Sequence, residues 1–403
     1  MQWTTHSGAD RVYDIIEPAP IVLSDFTTAR REPTRPPELR EPGFEQQFDD
    51  TTLFYDAFRA PGSGQVLVIA PPFLNLSNAM RSMRVTAVPS GRLCKFRIER
   101  LDRCTRIRID APHGERLAIE TDFGCFELQI GENLSDLFRG LRTIFTKSKD
   151  NAIPWILDWI RFHRDAHGAE AVLIYDNESS IYDVRALSSA IGQISGIRRA
   201  CVVEWPFKFG PRGGQGSRRF WDSDYCQHGI LEHARWRFLA EARSVMTGDV
   251  DELVVPRDKR TVFELAEQSW AGVVRYFGLW VIGIRGVSPL ASNGGILRHR
   301  DFDTMLLPGR PISKLPWSQP EHGCPPKWTV VPSRLPTWAQ WKVHTIGRWP
   351  PARIVTHRLC LRHFREIGTN WKYDRTQRDS FDPERHKHDA ELRTAFSHVQ
   401  WDY

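Results

Sequence analysis

Two carboxylates two residues apart, Asp249 and Asp251, sit between the apolar runs Ser244-Val245-Met246-Thr247-Gly248 and Leu253-Val254-Val255. In an extended backbone, residues i and i+2 point to the same face. The spacing therefore predicts both carboxylates aimed at one point, at the end of a buried strand. Two hard oxygen ligands at one point suit a divalent cation such as Mg²⁺ or Mn²⁺. Such a cation can carry a diphosphate and neutralise charge on a leaving group. Asp-x-Asp is also a common solvated turn, so the elements around it decide its meaning.

From about residue 140 strands and helices alternate. Leu141-Arg142-Thr143-Ile144-Phe145-Thr146 reads as a strand. A helix follows, with Asp150 or Asn151 as N-cap and Pro154 in its first turn. Its apolar stripe is Trp155, Ile156, Trp159, Ile160 and His163. Ala171-Val172-Leu173-Ile174-Tyr175 is the next strand, ending in Asp176-Asn177, and a helix over 181–192 follows. Then come a strand, Ala200-Cys201-Val202-Val203-Glu204-Trp205, a Gly- and Arg-rich loop over 210–219, and a helix over 222–242. That loop lacks the Gly-Lys-Ser/Thr ending of a P-loop. The series predicts an α/β fold on a mostly parallel sheet. Ligands of such sheets sit at the carboxyl ends of the strands, where Asp176-Asn177 and the Asp249/Asp251 pair both fall.

Residues 51–138 read as a small β-rich domain, with period-two alternation at Cys94, Phe96 and Ile98, at Ile107 and Ile109, at Leu117 and Ile119, and at Phe126, Leu128 and Ile130. Residues 1–50 are polar and broken by six prolines, and read as an extended, partly disordered segment. The α/β domain spans 139–375, with hairpin material at 273–300, and a charged tail occupies 376–403.

The chain has 403 residues, 41% hydrophobic and 26% charged, which fits a globular protein with a large core. No apolar run reaches the roughly 18 residues that cross a bilayer, and the N-terminus has no secretory pattern. The seven cysteines include no Cys-x-x-Cys pair. A cytoplasmic protein without a disulfide framework or zinc ribbon is expected. The net charge of +6 is spread along the chain with no basic block, so no nucleic-acid arm is expected. A solvated basic surface is the commoner reading of such a charge, and an anionic small ligand or peripheral contact with the inner face of a membrane are the functional ones.

Several strings together resemble GT-A glycosyltransferases of the family 92 and family 2-like type. They are Thr146-Lys147-Ser148-Lys149-Asp150-Asn151, Pro154-Trp155-Ile156-Leu157-Asp158-Trp159 with His163, and Ile174-Tyr175-Asp176-Asn177 with Ser179. Gln227, His233 and Trp236 ahead of Asp249-Val250-Asp251-Glu252-Leu253 continue the pattern. Lys327-Trp328-Thr329-Val330-Val331-Pro332, Val343-His344, His363-Phe364-Arg365 and Asn370-Trp371-Lys372 are similar to its C-terminal elements. The likeness covers about 141–375 and not 1–135. Asp150-Asn151 departs from it, since relatives often carry Asn-Glu there.

The resemblance implies a nucleotide-sugar donor, usually a UDP-sugar, Mn²⁺ or Mg²⁺, and inverting transfer to a carbohydrate hydroxyl, with surface polysaccharide synthesis as a setting. Asp251 is then the direct metal ligand, and Asp249 binds the metal through water or the donor ribose. His344 is the third ligand, with His363 and His357 competing for that role. Asp176, Asn177 and Lys149 face the donor, and Arg142, Lys372 and Arg375 are further phosphate candidates. Trp280 and Trp317 are platforms for the acceptor sugar. A general base is needed, and Asp301, Asp303 and Glu321 stand in the right part of the chain. One rival reading is a non-catalytic GT-A-like carbohydrate-binding protein. Another, an aspartyl phosphatase, calls for Thr or Val where Leu253 stands.

Overall fold

The computed structural model describes residues 12–111, 116–211, 213, 222–288, 295–312, 318, 320–369 and 378–401. The protein is mixed α/β, built on one large sheet with several small antiparallel ones. The strands of the large sheet, in chain order, are β1 Val12–Ile16, β2 Arg142–Ser148, β3 Ala171–Asp176, β4 Arg199–Glu204, β5 Ser244–Thr247 and β6 Glu252–Pro256. They continue with β7 Val273–Val281, β8 Thr304–Leu306, β9 Gly323–Val330, β10 Thr356–Phe364 and β11 His386–His388. The spatial order is β1-β4-β3-β2-β5-β9-β7-β8-β11, with β10 joining β7 to β6. From β1 to β5 every pairing is parallel. Beyond β5 the pairings are antiparallel except β7 with β10.

The apolar runs of β2, β3 and β4 are continuous because both faces of the sheet are covered. Ile144, Val172, Ile174 and Val202 face one core, packed with Ile156, Trp159 and Ile160 of the helix Ile153–His167. Their neighbours Phe145, Leu173, Tyr175, Cys201 and Val203 face the other, under Ile230 and Leu231 of the helix Tyr225–His233. The helix Ile153–His167 has Pro154 in its first turn as expected, but its N-cap is Ala152. Asp150 is turned away at φ 55° instead. Gly168 closes the helix in the left-handed region at φ 72°, where its N–H donates to Arg164 O at 2.8 Å.

Residues 51–138 form a four-stranded sheet (Asp56–Arg59, Gln65–Ala70, Phe96–Arg100, Thr105–Asp110), and three more strands (Arg84–Val88, Arg116–Thr121, Gly124–Leu128) form another. The strand Gln65–Ala70 is shared between two cores. Val66, Val68 and Ala70 face the core of these sheets, and Leu67 and Ile69 face the core beneath the large sheet.

Four expectations need correcting. The first fifty residues are not merely extended, since Val12–Ile16 adds a parallel edge strand to β4, and Leu23, Phe44 and Phe48 are buried. Residues 376–403 are not a plain charged tail. They supply β11 and the helix Ala390–Ser397, and Asp389 makes a buried ion pair with Arg362. The helix expected over 222–242 is shorter, Tyr225–His233, and runs into a π-turn at Ala234–Phe238. Residues 273–300 are not a hairpin: β7 is an interior strand between β9 and β10. Among the described residues no helix is long and apolar enough to cross a membrane. All seven cysteines are free thiols.

Candidate active site

The carboxyl ends of β2, β3, β4 and β5 open on one cavity of about 820 Å³. Lys147, Ser148 and Lys149 reach it from β2, Asn177 from β3, Phe207 and Lys208 from the segment after β4, and Asp249, Val250 and Asp251 from the segment after β5. The facing wall holds Lys342, His344 and His363, and Asp102 and Arg103 come from the β-rich region.

Asp249-Val250-Asp251 is a turn, not the extended segment its spacing predicts. Glu252 N–H donates to Asp249 O at 3.0 Å, and Asp249 N–H donates back to Glu252 Oε2 at 2.8 Å. Val250 packs inward. The two carboxylates consequently go to different partners. Asp249 accepts from Lys147 Nζ at 2.6 Å and from Lys327 Nζ at 2.7 Å. Burial raises the Asp249 carboxyl, but the two ammonium groups outweigh it and hold it well below the usual carboxylate range. Lys327 also lies 3.0 Å from Glu252 Oε2. Glu252 is the first residue of β6. It is buried, and burial pushes its carboxyl up although Lys327 lowers it.

Asp251 meets His363, whose Nε2 is 3.0 Å from Asp251 Oδ2. The meeting follows from register, since β6 runs antiparallel to β10 and sets Glu252 opposite His363. Trp280, on β7, stacks on the His363 ring with centroids 4.2 Å apart and planes at 29°. It is outside the cavity lining and fixes the imidazole; Trp317 lies outside the described residues.

The expected ligand set Asp249, Asp251 and His344 is not gathered. Among the described residues no group of three or more His, Cys, Asp or Glu side chains is placed to hold a metal ion. Asp249 is taken by two lysines, and His344 lines the cavity with its Nδ1 hydrogen-bonded to Pro326 O at 3.1 Å. Asp251 and His363 do offer an oxygen and a nitrogen at one point. That pair suits a hard cation that takes the rest of its shell from phosphate oxygens and water. His357 lies on the exposed start of β10, beside Phe277 and away from the cavity.

Asp176 does not reach the cavity. Its carboxylate accepts from Ser179 N at 2.9 Å, Ser179 Oγ at 2.7 Å and Tyr182 Oη at 2.6 Å, and so builds the turn after β3. Asn177 and Lys149 do line the cavity. Asn177 ties it to the next strand end by donating to Trp205 O and Phe207 O, both at 2.8 Å. Lys149 Nζ donates to Asn177 O at 2.8 Å. Arg142, at the amino end of β2, pairs with Glu267 at 3.0 Å and is no phosphate ligand. The base candidates Asp301, Asp303 and Glu321 are all away from the cavity. Asp301 caps a short turn through Arg298 N–H, Asp303 faces His388, and Glu321 is exposed. Lys372 and Arg375 lie outside the described residues, as does most of the 210–219 loop.

Reading the sequence placed Lys327 in a resembling string but assigned it no site role, because nothing in its local pattern signals that β9 brings it to Asp249 from 78 positions away. It also missed Asp102, Arg103, Asp224, His228 and Lys342 on the cavity wall.

No family model matches the chain, and no curated protein matches it. Among solved structures, the chain is similar to the mannosyltransferase Ktr4p from S. cerevisiae, with a TM-score of 0.24 and 11% identity over 35% of this chain and 39% of that one. The same yeast protein in complex with GDP gives a TM-score of 0.24 and 9% identity over 36% of this chain and 41% of that one. The chain spans about two fifths of the length of those proteins, and a likeness this slight carries no argument.

Proposed function

We propose that the protein is a glycosyltransferase that moves a sugar from a nucleotide diphosphate donor, UDP-linked in the first instance, to a carbohydrate hydroxyl with inversion. The observation that carries this reading is the placement of Lys147, Lys149, Asp249, Asp251 and His363 together on one cavity at the carboxyl ends of parallel strands. A cavity of this size suits a nucleotide sugar, and this is the position where α/β sheets bind such ligands. Asp249 orients Lys147 at the mouth of the cavity, where its ammonium meets diphosphate oxygens. A Mg²⁺ or Mn²⁺ ion held by Asp251 and His363 would supply Lewis-acid neutralisation of the leaving diphosphate.

Calorimetric titration of UDP, with and without Mn²⁺, into wild type and Asp251→Ala tests this reading. Metal-dependent binding that is lost in Asp251→Ala supports it. GDP and CMP are titrated next. Failure of all three nucleotides to bind wild type removes it and leaves a carbohydrate-binding protein without turnover as the reading to test.

A further inference from the structure

The acceptor side of this cavity needs a group that takes a proton, and the carboxylates expected for that task are elsewhere. Of the carboxylates on the wall, Asp249 is held by two lysines, Asp251 meets His363, Asp224 accepts from Arg103 Nη1 at 2.8 Å, Asp102 accepts from Lys342 Nζ, and Glu178 is exposed beside Lys149 after β3. The first four are engaged by a cation or an imidazole, and Glu178 stands at the donor end of the cavity with Lys149.

His228 is different. It projects from the second turn of the helix Tyr225–His233, lines the cavity, and is 4% exposed. Its Nδ1 is buried without a hydrogen-bond partner. A native fold seldom leaves such an atom unpaired, and a site for a ligand hydroxyl is one physical reason for it. Around it stand Asp102, Arg103, Asp224 and Lys342. These four form a chain of ion pairs, Lys342–Asp102–Arg103–Asp224, partly open to solvent with side-chain exposures of 22–30%. They sum to zero charge and present donors and acceptors side by side. That chemistry fits a neutral polyol, whose hydroxyls both donate and accept. The anionic donor is served by Lys147 and Lys149 at the strand ends.

We propose that His228 Nδ1 takes the proton of the acceptor hydroxyl, and that Asp102, Arg103, Asp224 and Lys342 hold the acceptor sugar at that end of the cavity. This rests on the glycosyl-transfer reading above. In the step, the acceptor O–H bond breaks and its proton goes to Nδ1. The oxygen forms the new bond to the anomeric carbon. The bond from that carbon to the donor phosphate oxygen breaks, and its electron pair leaves with the nucleoside diphosphate. Burial holds His228 down to about 4, so the imidazole is neutral and keeps one bare ring nitrogen throughout the physiological range. As a weak base it takes the proton only as the new bond to the anomeric carbon forms.

The test uses the full chain with UDP-hexoses and GDP-mannose as donors and methyl glycosides as acceptors, and takes forward the pair that wild type turns over fastest. His228→Ala and His228→Gln are then compared with wild type. The expected result is a fall in kcat of about 100-fold or more in both variants, with calorimetric affinity for the free nucleotide unchanged. Added imidazole partly restores the rate of His228→Ala, which a merely structural role would not allow. Unchanged nucleotide affinity also certifies the fold of each variant. Transfer by both variants within threefold of wild type overturns the assignment and leaves the glycosyl-transfer reading standing. A wild type that neither binds a nucleotide nor turns over a donor overturns both.

Discussion

Lys327 Nζ lies 2.7 Å from Asp249 Oδ2 and 3.0 Å from Glu252 Oε2, so one ammonium with 2% side-chain exposure serves two carboxylates. Removing it leaves Glu252, 3% exposed, without its cation while Asp249 keeps Lys147, and stripping a buried carboxylate of its partner typically costs about 3–5 kcal/mol. Lys327→Met is expected to lower stability by that order in urea denaturation. Lys147 bonds the other oxygen of Asp249 but is 21% exposed. Lys147→Met is expected to cost under about 1 kcal/mol. Its effect falls on binding instead: loss of a charged hydrogen bond weakens UDP about tenfold or more by calorimetry. Equal stability losses in the two variants would contradict this division of labour.

The histidine that matters beside Asp251 is His363, not His344. His363→Ala is expected to reduce the Mn²⁺ dependence of UDP binding at least about tenfold, and His344→Ala to change it little. Trp280→Ala, which frees the His363 ring, should act in the same direction as His363→Ala and leave the acceptor KM unchanged. A raised acceptor KM in Trp280→Ala would restore its role as a sugar platform.

The parallel half of the sheet was legible because strands buried on both faces leave unbroken apolar runs, as at Ala171-Val172-Leu173-Ile174-Tyr175. The position of Asp249 and Asp251 at a strand end was legible for the same reason. Their geometry was not. A turn and a strand end share composition, and the hydrogen bond from Glu252 N–H to Asp249 O that separates them leaves no mark in the sequence. Partners delivered by antiparallel pairing were hidden too. His363 stood among the candidate ligands, but its pairing with Asp251, like that of Lys327 with Asp249, comes through β10 and β9, whose register is a tertiary property. The prolines before residue 50 masked Val12–Ile16, because an edge strand needs only one side paired.

Acid should loosen the helix Ile153–His167 through two buried imidazoles. His167 Nε2 donates to Val254 O at 2.6 Å, and its Nδ1 accepts from Val262 N–H at 3.1 Å. His163 Nδ1 donates to Trp159 O at 2.8 Å, and its Nε2 accepts from Val254 N–H at 3.3 Å. Each ring needs one bare nitrogen, so protonation breaks a bond in both. Burial lowers His167 from 6.5 to about 4 and holds His163 well below its ordinary value. The unfolded chain therefore binds these protons first. The stability they support is complete above about pH 6.5 and declines as pH falls toward 4. For His167 the loss by pH 5 is about 2 kcal/mol. Urea denaturation at pH 7.5 and pH 5.0 measures it, and His167→Gln should show a loss smaller by about that amount. An identical pH response in the variant would mean that His167 does not couple protonation to folding.

The helix that carries His228 rests directly on the β-rich region at Gly229. A β-carbon there would lie 2.5 Å from Cε2 of Tyr55, a ring buried against Trp205 and Phe207. In an exposed helix, Gly→Ala is stabilising by roughly 0.5–1 kcal/mol. Here the ring has no room to move, and overpacking of this kind costs about 1–3 kcal/mol. Gly229→Ala is therefore expected to destabilise the protein in a thermal or urea melt. It should also lower transfer more than nucleotide binding, because a shift of this helix moves His228 while Lys147 and Asp249 stay on their own elements. A stabilised Gly229→Ala would mean that the helix and the β-rich region are not in close contact. The cavity end walled by Asp102 and Arg103 would then lose its support.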